Sequence, residues 1–469
     1  MLRVSTITTF RYISLDLIIF MNTINTLTHT IENEAPVYFL DLTVENVRCF
    51  GDRQTLDLSD GKGKPARWTI ILGDNGVGKT TLLKCLAPLE ANPERKRENF
   101  QTAAKNLSIH LPLTETYELV EFSFNRSNDK PFIVLPTLYR GSLSSQKYDP
   151  ISEHFLTQAS ASEIYLADYF IIYAYGASRR MGSGSLEKTY HPNGTMSLFR
   201  EEVSLINAVG WLLNADYAIK SADTASKAYY ENRYEKVKNM LIDLLPDVEN
   251  IRAKPITKTQ SHPAIEFQTP YGWVSLKKLS LGYQTLIAWM VDLGHRLFER
   301  YPDYDNPLEQ PAIVLVDEID LHLHPKWQRT VIEHLSRIFK QTQFIVTAHS
   351  PLIVQSAPEE ANIVLLKREG DHVIIHNNEQ LIKGWRIDQV LTSDLFDLPS
   401  ARPAEYDNYL KRQAEILSKP QLTPADEQEL EDIGKKLDEL PLVTENPEDN
   451  EAMAILRKAA DIFKTHYKI

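Results

Sequence analysis
From Val37 the chain alternates apolar and polar positions in short runs bounded by turn residues, the pattern of strands. Tyr38-Phe39-Leu40-Asp41-Leu42-Thr43-Val44 reads as a strand and Gln54-Thr55-Leu56-Asp57-Leu58 as its hairpin-like continuation. Gly61-Lys62-Gly63-Lys64-Pro65 is a turn, and Trp68-Thr69-Ile70-Ile71-Leu72 is a short buried strand running into a glycine-rich loop. A helix is predicted from Thr80 to Pro88, with further strands over Thr116 to Phe124, Pro131 to Leu138 and Tyr169 to Tyr175. Leu198 to Leu245 has helical periodicity, with Leu205, Ile206, Val209, Leu212 and Leu213 along one side. Ala264-Ile265-Glu266-Phe267 and Trp273-Val274-Ser275-Leu276 read as two more strands, followed by an apolar helix over Thr285 to Leu297. Ile313 to Val316 and Gln343 to Val346 look like central parallel strands buried on both faces, joined through a helix from Pro325 to Phe339. Beyond Pro399 the sequence turns charged and helical; Thr423-Pro424-Ala425-Asp426 and Asn446-Pro447-Glu448-Asp449 each offer an N-cap, a proline at the first helical position and an acid at the third. Three C-terminal helices are expected.

Composition narrows the class. The 469 residues are enough for one large α/β domain with insertions, and 43% hydrophobic with 24% charged residues is ordinary for a globular protein. A net charge of -12 supplies no overall basic field, so contact with nucleic acid requires a local patch or a partner. Cys49 and Cys85 lack CxxC spacing, which points to a reducing, cytoplasmic compartment; His322 and His324 have no further ligands spaced to complete a zinc set. Ile13 to Phe20 is too short to span a bilayer, and residues 1–36 read as a flexible extension or the product of an upstream start codon. No later window is apolar enough for a membrane helix, and there is no internal repeat.

The chemistry is concentrated in four short stretches. Gly73-Asp74-Asn75-Gly76-Val77-Gly78-Lys79-Thr80 fits G-x-x-x-x-G-K-[ST] between a strand and a helix, the context in which backbone N–H groups curl around phosphates. Lys79 is expected on the β- and γ-phosphates of ATP, Thr80 on Mg²⁺, and Gly73, Asn75, Gly76, Gly78 and Thr81 in the nucleotide cradle. Ile313-Val314-Leu315-Val316-Asp317-Glu318 is an apolar strand ending in two acids; Asp317 suits the magnesium shell and Glu318 the attacking water. Four apolar residues before Asp-Glu are common at strand ends, and it is the pairing with the phosphate loop that gives them weight. In Thr347-Ala348-His349-Ser350-Pro351, a histidine at a strand end is more often a cap, but here the strand belongs beside that of Asp317, within reach of a γ-phosphate. In Leu279-Ser280-Leu281-Gly282-Tyr283-Gln284, Ser280 is either an ordinary N-cap or, with the Gly282 N–H, an anion site aimed outward at another subunit.

Phosphate loop, Leu-Ser-x-Gly, Val-Asp-Glu and Ala-His-Ser-Pro in this order resemble the ABC ATPase superfamily, within its branch of soluble RecF, SMC and OLD-type AAA heads. Asn46-Val47-Arg48-Cys49-Phe50 resembles that branch's Asn-Phe-Arg strand, which implies a place for Arg48 near the phosphates, and Leu321-His322-Leu323-His324-Pro325 resembles its His-Leu-His-Pro stretch, in the place of the D-loop. Leu281 and Tyr283 depart from the family's Leu-Ser-Gly-Gly-Gln, which bears on affinity and rate in trans; for the Q-loop, Gln101 is a candidate only by distance. Tyr175-Gly176-Ala177-Ser178-Arg179-Arg180, Leu205-Ile206-Asn207-Ala208 with Trp211-Leu212-Leu213, and Leu391-Thr392-Ser393-Asp394-Leu395-Phe396 are similar to the ATPase subunits of Septu-type and retron-linked anti-phage systems. That resemblance implies a homodimer or higher homo-oligomer closing around Mg-ATP, working beside a separate HNH nuclease, with nucleic acid reached through the partner and no membrane involved.

The expectation is an α/β P-loop NTPase, an ABC-ATPase head over residues 37–395, with a helical insertion at about 198–255 and a helical appendage over 396–469. The rival readings are a RecF- or SMC-like DNA-repair ATPase, the energising subunit of a transporter, and a non-catalytic scaffold assembled by ATP. Arg179-Arg180 read either as a solvated or salt-bridged pair, the commoner case for paired arginines after a strand, or as a contact to nucleotide, a neighbouring subunit or nucleic acid; Arg95-Lys96-Arg97 and Lys277-Lys278 read as a solvated face or a phosphate contact. Ile455, Leu456, Ala459, Ala460, Ile462 and Phe463 form a helical stripe that must bury against this domain or a partner.

Overall fold
The computed structural model describes residues 36–87, 133–140, 143, 150–151, 171–183, 194–256, 258, 262–377, 385–398, 400–401, 403, 405–419 and 422–438. The extension before residue 36, the strand expected over Thr116 to Phe124, Gln101, Arg95-Lys96-Arg97, the cap at Asn446 and the stripe from Ile455 to Phe463 lie outside them. The chain divides into two compact units, Met1–Val390 and Leu391–Ile469.

In the first unit the strands are β1 (Val37–Glu45), β2 (Gln54–Asp57), β3 (Trp68–Gly73), β4 (Ile133–Arg140), β5 (Pro150–Ile151), β6 (Ile172–Tyr175), β7 (Asn250–Lys254), β8 (Ala264–Thr269), β9 (Gly272–Ser275), β10 (Ala312–Val316), β11 (Thr342–Thr347), β12 (Asn362–Glu369) and β13 (His372–His376). The helices among them are α1 (Lys79–Leu86), α2 (Ala208–Ser221), α3 (Thr224–Leu244), α4 (Leu281–Arg300), α5 (Pro325–Gln328), α6 (Val331–Ile338) and α7 (Pro351–Gln355). Three sheets result, in the orders β2-β1-β4-β5, β13-β12-β3-β11-β10-β6 and β7-β8-β9. The second is parallel from β12 through β6, with β13 antiparallel on its edge.

β10 and β11 are buried along their whole length, as crossover strands covered on both faces must be. Gln343 sits fully buried in β11 and reaches the antiparallel sheet: it accepts the Phe39 N–H at 2.9 Å and donates to the Phe39 carbonyl at 2.8 Å. That bond lies beside the β1–β4 register shift between Phe39 and Asp41 and ties β1 to β11. The two sheets close on an apolar cluster that includes Phe39, Phe50, Leu82, Leu86, Leu315 and Ile345. Because β11 lies between β3 and β10, the loops after Gly73, Val316 and Thr347 emerge side by side at the carboxyl ends of parallel strands.

Four sequence expectations need correction. The span from Leu198 to Leu245 is not one helix: a single turn at Met196–Phe199 is followed by irregular chain, then α2 and α3. Asn207 and Asp223 start those two helices by accepting the N–H groups of Gly210 and Ser226, and a capping side chain competes with continuous helix. The stretch from 250 to 254, included in the helical insertion, is strand β7. The helix expected over Pro325 to Phe339 is broken between α5 and α6, where the Thr330 hydroxyl turns back to the Lys326 and Trp327 carbonyls. Helix α4 begins at Leu281, not Thr285, so Ser280 is its N-cap residue.

The second unit contains α8 (Glu405–Leu417) and α9 (Pro424–Asp438). At the start of α9, Thr423 and Asp426 form a reciprocal box: the Thr423 N–H meets Asp426 Oδ2 at 3.0 Å and the Asp426 N–H meets Thr423 Oγ1 at 3.3 Å. Arg412 joins the two helices by a two-pronged bond to Glu429.

Candidate active site
The phosphate loop leaves β3 at Gly73 and turns into α1 through Gly76 at φ 80° and Gly78 at φ 94°, both left-handed. A Cβ on Gly78 would collide with the Cys49 sulfur and the Phe50 ring, so the 46–50 turn shapes the loop from behind. Arg48 in that turn is exposed, and its charge acts on Lys84 and Cys85 of α1, which places it on the flank of the phosphate-loop helix. Asp74, Asn75 and Gly76 are exposed at the crest, whereas Thr81 is buried in α1.

Lys79 is only 6% exposed, and its Nζ donates to the Gly73 and Asp74 carbonyls at 2.7 and 2.8 Å. Desolvation lowers its pKa from the usual lysine value, while Asp317, Glu318, Asp74 and Asp320 pull it back up. The ammonium thus closes the loop on itself and stands in a field of four carboxylates, ready to exchange its carbonyl partners for an anion.

A continuous chain of hydrogen bonds runs from this loop across the sheet. Thr80 Oγ1 donates to Asp317 Oδ2 at 2.8 Å. Asp317 Oδ1 accepts from Thr347 Oγ1 at 2.7 Å, and the same hydroxyl accepts the Glu318 N–H at 2.7 Å. Glu318 turns the chain at φ 50°, in the left-handed region, which swings its half-buried side chain out of the strand direction. Asp320 Oδ2 accepts the His349 N–H at 3.0 Å, and the His349 side chain is exposed beyond it. Gln328 braces the loop between them, donating to the Asp320 and Leu323 carbonyls at 3.3 and 3.1 Å and accepting from Ser350 at 2.7 Å.

The donor set fits magnesium. Thr80 and Asp317 offer one hydroxyl and one carboxylate oxygen, and Mg²⁺ typically takes one or two protein oxygens and fills its shell with phosphate and water. Two adjacent ligands of an octahedral ion with about 2.1 Å bonds stand about 3.0 Å apart, near the 2.8 Å between these oxygens. Thr347 occupies the other Asp317 oxygen and leaves Oδ2 to that role.

The Leu279–Gln284 segment joins no residue of the phosphate loop by a hydrogen bond among the described residues. Ser280 caps α4 by backbone position without a side-chain capping bond, and Leu281 is 58% exposed. Gly282 is buried, and a Cβ there would run into the His322 carbonyl, so the start of α4 is seated on the loop that follows Glu318. Tyr283 fixes the same end: its hydroxyl donates to Asp247 at 2.8 Å and its ring meets Trp327 edge-on at 4.3 Å.

Arg179, read above as more often solvated or salt-bridged, is 2% exposed. Its guanidinium donates to the Asp317 carbonyl and, at 2.8 Å, to the Glu318 carbonyl. Thr347, Asp320 and Gln328 also went unassigned from sequence, although Thr347 and Asp320 sit within two residues of assigned positions.

Comparison with known proteins gives the family. The family model described as "AAA domain, putative AbiEii toxin, Type IV TA system" matches residues 69–355, more than half of the chain. The chain belongs to this family. It carries an AAA domain. The AAA chain is similar to the Septu protein PtuA of Bacillus mycoides (strain KBAB4), at 25% identity over 387 residues, 81% of this chain and 48% of that one. It therefore spans about half the length of that relative. It is also similar to the retron Vc95 probable ATPase of Vibrio cholerae, at 26% identity over 62% of this chain and 67% of that protein, and to the retron Ec83 probable ATPase of Escherichia coli, at 39% over 29% and 24%. A solved SMC head bound to the C-winged helix domain of ScpA covers 72% of this chain and 97% of its own, at 15% identity and a TM-score of 0.38.

Proposed function
We propose that this AAA chain hydrolyses ATP in a composite site, with the phosphate loop of one copy facing Ser280, Leu281 and Gly282 of a second. The observation that carries the reading is the unbroken hydrogen-bond chain Thr80–Asp317–Thr347–Glu318, which ties a phosphate-binding loop to a carboxylate placed for a water molecule. Lys79 and the N–H groups of the loop hold the phosphates, and Thr80 and Asp317 hold Mg²⁺, which offsets phosphate charge when bound. Glu318 orients the attacking water, and His349 contacts the γ-phosphate side. The exposed Ser280 side chain at the N-terminus of α4 supports a trans anion contact, since its own helix makes no capping use of it.

The direct test is turnover and binding measured together. Glu318→Gln retains ATP binding and loses roughly 10²- to 10⁴-fold in kcat, whereas Lys79→Ala loses binding. Undiminished turnover in Glu318→Gln removes the assigned role, and tight ATP binding without phosphate release in the native protein turns the reading into that of an assembly scaffold.

At the level of biology, the protein is a cytoplasmic defence ATPase that holds or licenses a separate HNH nuclease. The similarity to Septu and retron ATPases supports this. Among the described residues no helix is long and apolar enough to cross a membrane. Co-purification with an HNH protein encoded next door is the expected result. Salt-sensitive DNA retention by the ATPase alone, in a filter assay, would instead favour the RecF-like reading.

A further inference from the structure
The buried arginine beside the acid pair has no part in the site as described so far. Arg179 stands four residues beyond the end of β6, at φ 35°, an uncommon conformation for a bulky residue. No carboxylate lies within ion-pair distance of it among the described residues. Its partners are three carbonyls, those of Asp317, Glu318 and Gly176, and the Trp289 ring at 5.7 Å. Burial lowers its pKa to about 10, opposed by the nearby acids, so it remains a cation at neutral pH. A buried cation spent on main-chain oxygens is costly, and a neutral donor would satisfy a carbonyl more cheaply. What guanidinium alone offers is a rigid planar fork that fixes two acceptors at once.

The two carbonyls belong to consecutive residues, at the point where the chain turns. The Glu318 peptide is held on its amide side by Thr347 and on its carbonyl side by Arg179. With both sides clamped, the left-handed turn at Glu318 is held, and with it the direction in which its side chain leaves the backbone. On its far side the guanidinium faces α4. Trp289 of that helix lies 5.9 Å from the Tyr175 ring, and the Tyr175 hydroxyl meets Asp292 at 3.0 Å. Asp292 in turn binds Arg296 at 2.7 Å and the Ile206 N–H at 3.1 Å. The Trp289 ring of α4 therefore stands between the guanidinium that holds the backbone of the acid pair and the buried Tyr175–Asp292–Arg296 cluster at the end of β6.

We infer that Arg179 is a positioning residue: it sets the Glu318 backbone for hydrolysis and, through Trp289, couples that setting to the helix carrying Ser280. The inference rests on the role of Glu318 given above. Lysine keeps the charge but not the fork, so Arg179→Lys should lower kcat roughly 10- to 100-fold, the scale of a misplacement of about 1 Å, with ATP affinity within about threefold of native. A purely structural arginine would instead move affinity, kcat and thermal midpoint together.

The experiment measures ATPase kcat, equilibrium binding of a non-hydrolysable ATP analogue and thermal unfolding for Arg179→Lys, Trp289→Phe, the double variant and Glu318→Gln. Loss of kcat at preserved affinity, with the rate losses of Arg179→Lys and Trp289→Phe failing to multiply in the double variant, supports the inference. Native kcat in folded Arg179→Lys, parallel loss of affinity and stability, or rate losses that simply multiply, each overturn it. If Arg179→Lys does not fold, Trp289→Phe decides alone: a kcat loss at native affinity supports the inference and a native kcat overturns it. Slow Glu318→Gln beside fast Arg179→Lys sinks only the inference, whereas fast Glu318→Gln sinks the role of Glu318 and the inference with it.

Discussion

Thr347 carries more of the site than its size suggests. One buried hydroxyl donates to Asp317 and accepts the Glu318 amide, so it sets the proposed magnesium ligand and the proposed water-orienting acid against each other. Thr347→Val keeps the shape and strands both partners; each buried polar group left without a bond costs about 1–3 kcal/mol. The expected outcome is a lower unfolding free energy in urea together with reduced kcat, and Thr347→Ser should restore both. At this scale the sequence reports contiguous chemistry well and distant chemistry poorly. Lys79 and Thr80 are legible because the loop that presents them is eight adjacent residues with glycines where φ must be positive. Arg179 was misread because a pair of arginines after a strand looks the same whether it meets water or the Asp317 carbonyl; only β6 pairing beside β10 buries it.

Helix α4 is where an element, not a residue, holds the parts together. Its outer end presents Ser280, its first turn sits on the His322 carbonyl through Gly282, and its middle buries Asp292 and Arg296. Gly282→Ala pushes the helix start away from the loop after Glu318; we expect ATP binding to survive and kcat to fall, read in the same turnover and binding assays. Asp292→Ala removes the buried acceptor shared by Arg296, Tyr175 and the Ile206 N–H, a loss of about 3–5 kcal/mol, which would appear as a lowered urea midpoint. Helices were half legible. The capping box at Thr423 and Asp426 formed as its residues suggest, yet the periodicity across Leu198 to Leu245 hid the breaks at Asn207 and Asp223. Strand β7 escaped notice because Ile251 is its one fully buried side chain, which leaves period-two patterning little to register. Strand β12 begins with a run of buried positions, and such a run reads equally as helix or strand.

For the whole molecule the question is assembly. If Ser280 meets the terminal phosphate of a second copy, Ser280→Arg places a bulky cation in that seam. In sedimentation with Mg-ATP, the Glu318→Gln protein should form a dimer that the Glu318→Gln, Ser280→Arg double variant does not, while each folded monomer still binds ATP. A dimer of native strength in the double variant would remove the trans contact. The buried character of β10 and β11 and the recognisable phosphate loop follow from local sequence: apolar runs that suit a sheet covered on both faces, and glycines at the positions a phosphate cradle needs. What no local pattern contains is the pairing across the sheet. Thr80 and Asp317 are 237 positions apart and Arg179 and Glu318 are 139 apart, and they meet because β3, β11, β10 and β6 lie in that order. Sequence determined which groups can do the chemistry, since that depends on residue type and backbone freedom over a few positions; tertiary structure alone decided which of them share hydrogen bonds, since that depends on how distant strands stack.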